Sequence, residues 1–80
     1  MKISYLSRPV VGESVLHRNS DGRFECDFQT YTCGSGIEFL DSRDADNIQW
    51  CWSSVEHDDK DYYIVGFYDI KMEGLRVRCR

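Results

Sequence analysis

Apolar and polar residues alternate with a period of two along much of the chain, and Gly, Asp, Asn and Ser cut the alternation into short runs. This is the pattern of half-buried strands bounded by turns. It begins at once in MKISYLSRP. The clearest hairpin is ESVLHRNSDGRFECDFQTYT, with Asp21-Gly22 as a two-residue turn, because both residues tolerate the positive φ angles such turns require. That turn sets Arg18 opposite Glu25, His17 opposite Cys26 and Val15 opposite Phe28. One surface then collects Val15, His17, Phe24, Cys26 and Phe28, and charge pairing and apolar facing agree on the register.

A second hairpin is read in DYYIVGFYDIKMEGLRVRCR. A four-residue loop, Lys71 to Gly74, pairs Ile70 with Leu75, Asp69 with Arg76, Tyr68 with Val77 and Phe67 with Arg78. The rival Glu73-Gly74 turn opposes Lys71 to Arg76, a like-charge pair, so the longer loop is preferred. Ile64, Tyr68, Ile70, Leu75, Val77 and Cys79 share one face. Tyr63, Val65 and Phe67 lie on the other, beside Arg76, Arg78 and Arg80.

Only the middle of the chain breaks the period. Ile48, Cys51, Trp52 and Val55 fit i, i+3, i+4, i+7, and Asp41, Ser42 and Asp44 supply N-cap chemistry. Glu56, Asp58 and Asp59 stand against a helix, since negative charge at a helix C-terminus is unfavourable. A strand also fits, with Ile48, Trp50 and Trp52 on one face and His57–Lys60 as a hairpin tip. The capping signal favours the helix. The expected fold is therefore α+β: residues 1–80 form one domain, an antiparallel sheet of four to five strands with one helix, about residues 42–55, packed on it. The alternative is an all-β meander.

Eighty residues support one small core and leave little room for a dry catalytic cavity. The four cysteines contain no CxxC pair, which removes the usual zinc signature. Cys26, Cys51 and Cys79 fall on apolar faces, as reduced thiols that act as small hydrophobes do. The longest aromatic and aliphatic run, Tyr62–Tyr68, is too short to span a bilayer, and the N-terminus lacks a secretory apolar stretch. A cytoplasmic protein without membrane contact is expected.

Catalytic chemistry has one foothold, YTCGSG at Tyr31–Gly36. Cys33 there needs a base, and His17 or His57 has to fold onto it. An EF-hand reading started at Asp44 fails, because Ile48 and Trp50 stand where oxygen ligands belong and Val55 where the final Glu belongs. No catalytic, metal or cofactor site is assigned, and a non-enzymatic protein is expected.

Charge adds the strongest hint. Seven of the fourteen acidic residues lie between Asp41 and Asp61, against only Arg43 and Lys60, in a chain whose net charge is −4. Asp44, Asp46, Glu56, Asp58, Asp59 and Asp61, with Trp50 as anchor, form the candidate partner-binding set. Carboxylates steer association and Trp is enriched at interface hot spots. The expected partner is a protein with a basic surface, and the chain is a monomer or a homodimer. The alternative is a nucleic-acid-binding module built on Arg76, Arg78, Arg80 and neighbouring aromatics. An acidic chain suits that alternative poorly.

In style, the acidic stretch FLDSRDADNIQW (Phe39–Trp50) and the EHDDKD cluster resemble small phage-encoded inhibitors, anti-CRISPR proteins in particular. The resemblance implies a protein that blocks a nucleic-acid-binding surface, its carboxylates standing in for phosphates. Duplex DNA presents one such charge per about 1.7 Å of axis. It transfers no functional residue.

Overall fold

The computed structural model describes residues 7–80; the alternation read at Met1–Leu6 lies outside them. Eight antiparallel strands and no helix are found among the described residues. They are β1 (Gly12–Val15), β2 (His17–Arg18), β3 (Phe24–Glu25), β4 (Thr30–Tyr31), β5 (Gly36–Asp41), β6 (Gln49–His57), β7 (Tyr62–Ile64) and β8 (Arg76–Cys79). Five make one sheet in the order β1-β8-β5-β6-β7, and β2-β3-β4 make a second.

The expected helix over 42–55 is a loop followed by the longest strand, β6. The capping chemistry is real but serves a turn: Asp44 Oδ1 accepts the Asp46 N–H at 3.0 Å, and the Asn47 N–H reaches the Asp44 carbonyl. Trp50 and Trp52 then alternate with Cys51 and Ser53 across the sheet. The four-apart apolar pairs fitted both periods, and pairing with β5 on one side and β7 on the other decided for the strand. The α+β reading is therefore replaced by an all-β two-sheet architecture.

The first hairpin exists with its register moved by one: His17 opposes Glu25 and Arg18 opposes Phe24. Asn19 is the cause. Its side-chain oxygen accepts the N–H groups of Asp21 and Arg23, which builds a longer loop with Gly22 at φ 82°. A one-residue shift exchanges the faces. His17 is exposed, and Val15 and Phe28 are each 48% exposed, whereas Leu16 is fully buried. At Leu16 the chain passes from the large sheet to the small one, its N–H bonded to the Leu75 carbonyl.

The second expected hairpin does not form. β7 pairs with β6, across a tip at Asp58–Asp61, and β8 inserts between β1 and β5. β7 ends at Ile64, and two residues later Gly66 turns the chain at φ 83°, where a residue with a Cβ is strained. The chain then folds through successive turns, Phe67 to Ile64, Ile70 to Phe67 and Leu75 to Met72.

Both sheets bury one core. Phe39, Val55, Ile64 and Val77 come from the large sheet, Phe24 and Tyr31 from the small one, and Leu16 from the corner between them. Phe67 meets Phe39 edge-on at 4.9 Å. Each fully buried aliphatic or aromatic side chain contributes about 1.5–3 kcal/mol relative to exposure.

Candidate functional site

Directly opposed residues of neighbouring strands project to the same face. Phe39 and Val77 on the inner face belong to the shared core. The next row, Glu13–Arg78–Glu38–Trp52, runs across four strands on the outer face. Beside it stand Leu40 opposite Trp50, Val15 opposite Arg76, and Glu56 opposite Tyr63.

This face is ordered by charge. Glu38 is only 5% exposed, and its carboxylate takes Arg78 at 2.9 Å and Arg80 at 2.8 Å. Burial pushes the Glu38 carboxyl up, but hydrogen bonds from Arg80 and Arg78 outweigh it and hold the group below its ordinary range. Arg76 pairs with Glu13 at 3.0 Å. The Arg78 guanidinium lies 4.3 Å over the Trp50 ring, and Trp52 packs across Gly36, whose missing Cβ makes room for it. The sequence reading paired Arg76 with Asp69 and put Arg78 over Phe67. Instead Arg43 holds Asp69 at 2.6 Å and lies over Phe67 at 5.4 Å.

The acidic residues divide into two groups at opposite ends of β6, a strand of nine residues spanning roughly 26 Å. Asp44 and Asp46 lie in the β5–β6 connection with Asp44 engaged in its turn. That connection is anchored by Arg43, which binds the buried Asp41 carboxylate through Nε and Nη2 and holds it below the usual carboxylate range. At the other end Asp58 Oδ1 accepts the N–H groups of Lys60 and Asp61, closing the hairpin tip. Asp61 binds Arg18 through two bonds, at 3.0 and 2.8 Å. Glu56 and Asp59 make no ion pair among the described residues and leave their charge to solvent.

Two residues beyond the acidic set complete this end. Tyr63 and Tyr68 stack with ring centroids 4.8 Å apart at 28°, and Tyr68 is 71% exposed. Glu56 stands directly opposite Tyr63 across β6 and β7, and burial pushes the Tyr63 hydroxyl up, with Tyr68, Glu56 and Asp58 adding in the same direction. An open cleft of about 300 Å³ adjoins the pair, its apolar lining formed by Phe24, Ile70 and Met72 beside Tyr62, and its charged lining balanced, Arg18 and Lys71 against Asp61 and Glu73. Sequence reasoning placed Tyr68 in a strand on the apolar face. Gly66, read as a strand stop, is the signal that frees it.

Cys33 is exposed, and neither histidine is bonded to it among the described residues. His17 bonds Glu25 at 3.2 Å, and His57 packs edge-on against Tyr62 at 4.6 Å. Among the described residues no group of three His, Cys, Asp or Glu side chains is arranged to hold a metal, and no helix is long and apolar enough to cross a membrane.

No curated protein and no solved structure matches the chain. Residues 14–79 match the model of a family described as "Domain of unknown function (DUF5348)". The match runs from within β1 to the last residue of β8 and so takes in both sheets and the shared core. The chain belongs to the DUF5348 family, a domain of unknown function.

Proposed function

We propose that this domain is a non-enzymatic protein-binding module, an inhibitor or adaptor, that engages a basic surface of a partner protein. The observation that carries the reading is the Tyr63–Tyr68 stack, with Tyr68 exposed and Glu56 directly opposite Tyr63. Stacked rings in a field of carboxylates attract Lys and Arg side chains twice, through the ring faces and through the charges. The adjoining cleft takes an apolar neighbour of such a cation. Asp59 and Glu56 steer association from the rim, whereas Asp44 and Asp46, beyond the far end of β6, belong to a separate patch. Trp50 serves as a half-buried support under Arg78.

The nucleic-acid alternative is the weaker reading, because its cations are already committed: Arg76 to Glu13, and Arg78 and Arg80 to Glu38.

The test uses a fluorescent Lys/Arg-rich peptide containing leucine, an acidic peptide of equal length and a single-stranded oligonucleotide as probes, followed by anisotropy. The basic peptide is expected to bind, weakening steeply with salt, and to lose most of its affinity to Tyr68→Ala and to Glu56→Lys/Asp59→Lys. These positions avoid Asp58 and Asp61, whose loss disturbs the hairpin. Equal binding by folded variants and wild type, or preference for the oligonucleotide, overturns the proposal.

A further inference from the structure

Two core thiols share one neighbour. Cys26 directly follows β3 in the small sheet, Cys79 ends β8 in the large one, and both are buried. The Tyr31 hydroxyl lies 3.8 Å from the sulfur of each. Cys79 Sγ also approaches Gln29 Oε1 at 3.8 Å. Tyr31 is 1% exposed, and burial pushes its hydroxyl up, so it stays neutral between the sulfurs. Two buried sulfurs, each 3.8 Å from one hydroxyl, lie close enough together for rotation of their side chains and movement of the backbone to bring them toward bonding distance.

We infer that Cys26 and Cys79 are a redox-responsive pair that a hydroperoxide joins into a disulfide across the two sheets. One thiol gives its proton to solvent, and its sulfur attacks a peroxide oxygen. The O–O bond breaks, leaving a sulfenic acid, and the departing hydroxide takes up a proton to become water. The second sulfur then attacks the sulfenyl sulfur. The S–O bond breaks, and the second thiol's proton leaves with that hydroxyl as another water. Two thiols and one hydrogen peroxide thus give one disulfide and two waters, each sulfur losing one electron and the peroxide gaining two. The bond ties β8 to the chain leaving β3, so the sheets can no longer part at that end. Burial makes the pair slower to react than the exposed Cys33.

The test uses full-length Cys33→Ser protein, checked for β-structure by circular dichroism and incubated with hydrogen peroxide. Remaining thiols are alkylated in denaturant before mass analysis and peptide mapping. The expected product has lost about 2 Da, alkylates at Cys51 alone, yields a linked Cys26–Cys79 peptide and reverts with dithiothreitol. If the variant does not fold, native wild-type protein alkylated at Cys33 carries the same measurement. Three alkylatable thiols after prolonged exposure, oxygen gain without a cross-link, or a bond to Cys51 each overturn the inference.

Discussion

Arg18 and Asp61 join the two sheets: two N–H···O bonds, of 3.0 and 2.8 Å, connect β2 to the tip of the β6–β7 hairpin. The hydrogen bond from Arg18 holds the Asp61 carboxyl below its usual range. Both side chains are about half exposed, so solvent takes much of the interaction, and Asp61→Ala is expected to cost about 1 kcal/mol. Urea unfolding checks this. The double variant with Arg18→Ala is expected to lose less than the sum of the two singles, because each single change already breaks the pair.

Glu38 carries more weight. Its carboxylate is the shared partner of two largely buried guanidiniums, and one nitrogen of the cluster, Arg78 Nε, has no hydrogen-bond partner. Glu38→Ala leaves uncompensated cations on the sheet and is expected to destabilise by about 3 kcal/mol. Glu38→Gln keeps an acceptor and should recover part of that loss. Equal midpoints for Glu38→Ala and wild type in urea would contradict the buried-cluster account.

Gly36 is the place where the sheet face is sensitive to a single methyl. A Cβ there meets Trp52 Cη2 at 2.5 Å, so Gly36→Ala displaces the indole. The expected cost is about 1–3 kcal/mol, with a red shift in tryptophan emission. Gly12→Ala also meets a ring, that of Phe28, but Phe28 is half exposed and can swing away. It is expected to unfold close to wild type, and the contrast is read from the two denaturation curves.

Acid should unfold the domain through a small set of carboxylates. Asp41, Asp61 and Glu38 all have folded values below their unfolded ones, through bonds from Arg43, from Arg18, and from Arg80 and Arg78 against burial. Their contribution is present above the unfolded values, near pH 4, and is lost as pH falls from there through the folded ones. Melting temperature measured from pH 7 to pH 2.5 is expected to hold above about pH 5 and drop below it. Asp61→Asn should flatten the drop, and a level profile down to pH 3 would rule the mechanism out.

The period-two alternation made strands legible in the sequence, and so was the turn around Gly22. What surrounds them was not. Asn19 moved the first register by one because a side-chain acceptor, invisible to hydrophobic patterning, lengthened the loop. The segment 48–55 satisfied two periods at once, and only its pairing with β5 and β7 separates them. β8 lies beside strands far away in sequence, while local reasoning naturally paired it with the run just before it. At the candidate site, composition exposed the acids at once but hid that Asp58 and Asp61 are occupied in structure. It also hid that Tyr68, past the turn at Gly66, stacks on Tyr63, the residue opposite Glu56.

The position of β8 has a consequence for how the chain acquires its shape. β5, β6 and β7 follow one another and can zip by short-range closure, whereas Gly12 must wait for Cys79 before β1 gains its partner. Closure over so long a separation places the slow step of folding at the arrival of β8. A chain cut before Arg76 would hold a three-strand ribbon of β5, β6 and β7 with the Phe39 edge bare, the species most in need of a chaperone.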